Sequence, residues 1–258
     1  NPLSADKDDS IQFSAFAKVN SSKCEPVVMD EQFNSAVTDI FRNEYLSPRS
    51  PYTTLQIPKQ GIGEWCHPLH TVDIDDSGLR SSVQKGVLNT KLGVPFRTPA
   101  EGQNIAFTSL WDNYPDSLTV SLKGKASRAY LLMAGSTNHM QCHIDNGLIR
   151  VYYKDGTCDK MALRNPDNWA PIEHIFFEDG LAFNRHAPAL YRLRLKTGEI
   201  SNNFGEELGF PGASRELDGG AAILLEMPLN PDKKLSHLVL ETLSNDVVIG
   251  LMGITLQR

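Results

Sequence analysis

The chain is short of every feature that would place it on a nucleic acid or in a bilayer. Lys and Arg number 25 against 31 Asp and Glu, so the net charge is −6 and no basic stripe is on offer to phosphates. No apolar run approaches the roughly 18 residues that span a membrane. The apolar runs, such as Ala221–Leu225 and Val247–Ile254, are strand-sized. Tryptophan is scarce, with three in 258 residues, and cysteine nearly so, with four. Cys24, Cys66, Cys142 and Cys158 form no C-x-x-C pair and no zinc-finger spacing, which excludes the common redox and zinc-ribbon motifs. Reduced or incidental thiols are the first reading of these cysteines. A disulfide in an exported protein is the second, and spacing does not choose its pairing.

Nucleotide and nucleophile signatures are missing too. Gly61-Ile62-Gly63 lacks the further glycine and the following helix of a dinucleotide loop, and there is no P-loop and no HExxH. Ser136 follows a strand-like run, but Ala134 and Asn138 stand where a nucleophile elbow needs glycines. There is no internal repeat and no low-complexity segment. A chain that begins at Asn1-Pro2, without Met or a leader, reads as a mature form or an excised piece of a longer protein.

What is present is two-residue alternation. Leu118, Val120 and Leu122 alternate with polar residues, as do Ile149, Val151 and Tyr153 before the hairpin signal Asp155-Gly156. Arg128–Ala134 is nearly all apolar and reads as a buried central strand. Further strands are expected at Ser10–Val19, Thr53–Ile57, near Ser82–Asn89, and at His174–Phe177, Leu190–Leu195, Ala221–Met227, His237–Leu243 and Val247–Leu256. Phe33, Ala36, Val37, Ile40 and Phe41 recur at helical spacing after Asp30, so residues 31–44 predict one amphipathic helix, ended by Ser47-Pro48. The expected fold is therefore mostly β: a β-sandwich or jelly roll with one N-terminal amphipathic helix and an irregular N-terminal extension. Residues 1–104 are assigned to the extension, packing on a sandwich of residues 105–258.

Spaced blocks of this chain resemble a known kind of module. They are Ala129–Met133, Met140-Gln141, Asp145-Asn146-Gly147, Tyr152–Thr157, Asn165–Glu173, Gly219–Ala222 and Asn245–Met252. Together they resemble the C-terminal β-sandwich modules, a family of unknown function, of large secreted glycan-degrading, glycosidase-like proteins of Bacteroidetes. Gln60–Arg80 resembles the linking region of such proteins. The resemblance covers most of the chain from about residue 33. It implies a polysaccharide-utilisation setting, an exported, periplasmic or cell-surface location, and a neighbouring catalytic domain in the same polypeptide. It carries over no catalytic residue.

The three tryptophans point to the same ligand class independently. Trp65, Trp111 and Trp169 each sit in a polar, turn-forming stretch, and rings shown on loops stack on the apolar face of a pyranose while Asp, Asn and His bond its hydroxyls. Trp65, His67, Trp111, Asp112, Asn113, Tyr114 and Trp169 are thus the candidate ligand-binding residues for a polysaccharide or oligosaccharide. The alternative is that Trp111 plugs the end of the sandwich with Asn113 forming a turn, and that Trp169 packs under its loop. The cluster Glu64, Trp65, His67, His70, Asp73, Asp75, Asp76 and Arg80 has three readings: an acid–base carboxylate pair for glycoside hydrolysis, a hard-cation site such as structural calcium on Asp73, Asp75 and Asp76, and plain turn and cap formation. The third is preferred. His67/His70 and His139/His143 lie at pair spacings, but four residues along a strand is about 13 Å, too far for one zinc to bridge. No metal site and no cofactor are therefore expected. The expectation is a non-catalytic accessory or structural domain of a carbohydrate-active protein. A stand-alone hydrolase or lyase using the 64–80 cluster, and a purely structural interaction domain, are the alternatives.

Overall fold

The computed structural model describes residues 19–47, 50–53, 57–58, 68–70, 73–137, 141–175, 180, 183–209 and 215–258. In chain order the first strands are β1 (Cys24–Pro26), β2 (Tyr45–Ser47), β3 (Ser50–Thr53), β4 (Ile57–Pro58), β5 (Pro68–His70), β6 (Val83–Gln84), β7 (Val87–Asn89) and β8 (Pro95–Arg97). The longer ones follow: β9 (Ala106–Ser109), β10 (Ser117–Ser121), β11 (Arg128–Thr137), β12 (Asp145–Tyr153) and β13 (Cys158–Arg164). Last come β14 (Tyr191–Arg194), β15 (Ile200–Ser201), β16 (Ala221–Pro228), β17 (Leu235–Thr242) and β18 (Val247–Gln257). The α-helices are short, α1 (Ser77–Ser81) and α2 (Phe204–Glu207), and no helix among the described residues is long and apolar enough to cross a membrane.

Two antiparallel sheets make the sandwich. One runs β1-β18-β11-β16-β14-β15, with β9 also paired to β18; the other runs β10-β17-β12-β13. Their facing sides enclose a core of Val120, Leu131, Met133, Ile149, Val151, Leu225, Leu238, Leu240 and Ile249. Each strand of the second sheet alternates buried and more exposed positions, as a sheet with one wet face must.

The first sheet is covered on both faces, which explains the unbroken apolar run in β11. Ala129, Leu131 and Met133 point into the core between the sheets. Tyr130, Leu132 and Ala134 point the other way, into a second core that includes Val37, Ile40, Tyr45, Ile74, Leu79, Leu88 and Phe96. Described segments between residues 37 and 96 thus form a third layer, while β1, Met29 and Phe33 belong to the sandwich itself. In β18 the same two-sidedness survives a change of numbering parity. Leu132 pairs with Gly253 and Met133 with Leu251, leaving Met252 as a bulge. Val247, Ile249 and Leu251 before it, and Ile254 and Leu256 after it, all reach the inter-sheet core, while Met252 joins the second one.

Several expectations need correction. Residues 31–44 form no continuous helix. Asp30–Gln32 and Val37–Asp39 are 3-10 turns, and Ser35 makes a β-bridge to Ile105. The apolar spacing there arises because Phe33 enters the inter-sheet core while Val37 and Ile40 enter the second. Long-range amide bonds replace helical ones: the Val37 N–H donates to Asn104 Oδ1 at 2.9 Å, and the Phe107 N–H to Asn34 Oδ1 at 2.9 Å. His174 makes an isolated bridge to Glu216, and Phe176 and Phe177 lie outside the described residues. So does Ser10–Val19, except Val19. The edge strand β13 was not anticipated, because Asp159 and Lys160 interrupt its apolar signal. The strand expected near Ser82–Asn89 is a hairpin, with Lys85 and Gly86 both at positive φ (52° and 76°) between β6 and β7.

Candidate functional site

Trp111 opens the loop between β9 and β10. Its N–H donates to Ser109 Oγ at 2.9 Å, which turns the chain, and its ring lies 5.1 Å from that of Tyr45. The side chain is only 3% exposed, so it has no free face for a sugar. Asn113 is a strut: Oδ1 accepts from the Leu46 N–H at 2.6 Å and Nδ2 donates to Glu44 O at 2.7 Å, tying this loop to β2. Asp112 is exposed.

Tyr114 stays half-buried at the edge of this aromatic cluster, 5.2 Å from Phe107 and 6.1 Å from Tyr45 between ring centres. It lines a groove of about 480 Å³ with Asn34, Asp39, Asn43, Gln103 and Asn113. The Tyr114 hydroxyl accepts from Asn43 Nδ2 at 2.6 Å and contacts Ser35 Oγ at 3.4 Å. Burial pushes this phenol above its usual range. Asn34 and Asn113 spend their amides on backbone groups. Asp39 and the exposed Gln103 have no side-chain partner among the described residues, so they can bond a ligand.

Trp169 is fully buried in the core between the sheets and rests on Gly135. Asn168 holds its loop in place, accepting from the Arg164 N–H and donating to Ala162 O, both at 2.7 Å. Neither Trp111 nor Trp169 can therefore stack on a pyranose, which corrects both as ligand-binding residues. A ring that closes an end of a hydrophobic core removes more apolar area from water there than one left on a loop. Trp65 and His67 lie outside the described residues, as do Glu64 and His139.

The described acids of the 64–80 cluster are engaged in local structure. Asp75 Oδ1 accepts from the Ser77 N–H at 2.9 Å, and bonds to Ser77 hold this carboxyl below its usual range. Asp76 Oδ2 accepts from Arg80 Nε and Asn104 Nδ2, each at 2.8 Å. The 96%-exposed Asp73 side chain lies 3.8 Å from Arg42. These three acids are not gathered into one ligand set among the described residues.

A different constellation forms where β13 hands over to the 165–192 segment. His143, Asp167 and His186 bring one ligand atom each within 4.8 Å of one another. His143 sits at φ 54°, its N–H donating to Asn165 O at 2.8 Å; the His186 N–H donates to Asp167 Oδ1 at 2.7 Å. The neighbouring residues Pro166 and Arg185 line a cavity of about 420 Å³ whose wall includes Arg192. Buried Arg192 donates to the carbonyls of His174 and Pro171, both at 2.6 Å, and of Ala221 at 2.9 Å, which fixes the inner wall. Sequence spacing could not find this trio, since its members come from three separate turns; the only signal was His143 itself. Comparison with protein-family models gives no match, and comparison with curated proteins gives none either.

Proposed function

We propose that the chain is a non-catalytic accessory domain of an exported carbohydrate-active protein. It braces a neighbouring catalytic domain of the same polypeptide and offers a weak glycan-binding groove at Tyr114. The observation that carries this reading is the groove itself, where the uncommitted Asp39 and Gln103 stand beside Asn43 and a half-buried tyrosine. Carboxylate, amide and phenol groups bond vicinal hydroxyls, and the part-exposed Tyr114 ring supplies a small apolar contact. Such an open site binds weakly, because each bond replaces one to water and ordering the sugar is costly. The sandwich resemblance supports the setting and the location. A purely structural interaction domain is the second reading, and the burial of Trp111 and Trp169 favours it.

The test is a titration of the protein with pectin and hemicellulose oligosaccharides, followed by NMR amide shifts, with product analysis on the same samples. Shifts clustered at residues 34–43 and 103–114, weakened several-fold by Gln103→Ala or Asp39→Ala and without products, are expected. Cleavage products would overturn the non-catalytic reading. No shift across a broad panel would leave the structural domain.

A further inference from the structure

We propose that His143, Asp167 and His186 bind a divalent transition-metal ion of the zinc class. The inference is independent of the glycan reading above. The donors are two imidazoles and one carboxylate, a set that suits zinc and its neighbours and leaves coordination positions open, whereas calcium and magnesium prefer all-oxygen shells.

The distances separate this arrangement from an ordinary hydrogen-bonded network. His143 Nδ1 lies 3.9 Å from Asp167 Oδ2, and His186 Nδ1 lies 3.7 Å from Asp167 Oδ1. Both are too long for hydrogen bonds. They are close to what ligation needs: bonds of about 2.0–2.1 Å in a tetrahedral shell place donor atoms roughly 3.3 Å apart. One ligand atom from each residue lies within 4.8 Å of the other two, so side-chain movements of about an ångström bring the set to that spacing. The rings are 4.9 Å apart between centres and tilted by 46°, so they do not stack flat on each other.

The three donors are also pre-positioned. The Asp167 side chain is only 12% exposed, and its Oδ1 is held by the His186 N–H. His143 is aimed by its left-handed backbone and by the bond of its N–H to Asn165 O. Cys142 bridges Asn165, and this couples the two turns directly. The His186 side chain is 65% exposed, so the remaining positions of the ion face solvent and take water or an anionic group.

The experiment is titration of the metal-stripped full chain with Co(II), read by its visible d–d absorption, then displacement by Zn(II). One equivalent of tetrahedral-type Co(II) is expected, released by Zn(II), with a raised midpoint of thermal unfolding. His186→Ala and Asp167→Asn should each weaken binding by at least about tenfold, a loss comparable to those seen even for residues behind the ligands. Asp167→Asn keeps the oxygen that accepts from the His186 N–H, so an unfolded variant is not the expected outcome, and circular dichroism checks it. Absence of a Co(II) spectrum, or equal affinity in wild type and both variants, would overturn the site.

Discussion

Glu173 shows how strongly position alone can reset a side chain. It is fully buried; Oε1 accepts from Ser136 Oγ at 3.1 Å, and Oε2 has no partner among the described residues. Loss of solvation pushes its carboxyl from an ordinary 4.5 up to about 8. The folded state therefore prefers the protonated acid. Below about pH 4.5 both states hold the proton and this contribution to stability is complete. As pH rises towards 8 the unfolded chain releases its proton and the native one does not, so stability falls by up to about 1.4 kcal/mol per pH unit. Glu173→Gln removes the titration. Thermal unfolding of wild type and E173Q between pH 5 and 8 should diverge, with wild type losing ground as pH increases; parallel curves would sink the assignment. Nothing in the local sequence announced this residue. Its burial depends on the loop closing over β11 and on Arg192, which reaches in from β14.

Gly135 carries the element scale, where β11, β18 and the Trp169 loop meet. A Cβ at this position would fall 2.1 Å from Val248 O and 2.8 Å from the Trp169 ring, with no flexible neighbour to yield. Gly135→Ala should cost on the order of 2–4 kcal/mol, because either the ladder to β18 or the indole must move. Chemical denaturation checks this, and near-ultraviolet circular dichroism should report a disturbed Trp169. A loss below about 0.5 kcal/mol would show that the ring is not held against the strand. The strands themselves were legible, since alternation is local and β10, β12, β16 and β17 formed within a few residues of their expected bounds. The helix over 31–44 was not. Phe33 on one side and Val37 with Ile40 on the other serve different cores, a division that mimics a helical stripe only when the sheet edge between them is invisible.

At the scale of the whole molecule the third layer is the decisive feature. Tyr130, Leu132, Ala222, Leu224, Val248 and Met252 face away from the sandwich core and are covered by residues before 105. A chain shortened to begin at Ile105 loses β1 but should keep the order β18-β11-β16-β14-β15, with β9 on β18, yet expose this face. We expect it to bind a hydrophobic dye and to self-associate, as large bare apolar patches do. Sedimentation velocity beside the full chain measures this, and a monomeric, dye-silent product would mean that the layer is dispensable. The layer also makes the Tyr114 groove, whose Asn34, Asp39 and Asn43 come from before residue 105 and whose Tyr114 comes after it.

Composition and two-residue alternation were enough to establish a mostly β sandwich with a turn at Asp155-Gly156, because those properties belong to short stretches of chain. They could equally suggest that Trp111 and Trp169 sit in turns. Whether a ring in a turn points outward or inward depends on what the turn closes over, and here it closes over Tyr45 and Gly135. The same limit governs the metal-type trio: His143, Asp167 and His186 are donors of ordinary kind at unrelated positions, and only the parallel bridge of Cys142 to Asn165 and the return of the chain at His186 set them around one point. Convergence from three turns is a property of tertiary packing, since no periodicity of helix or strand relates residues so far apart in the chain.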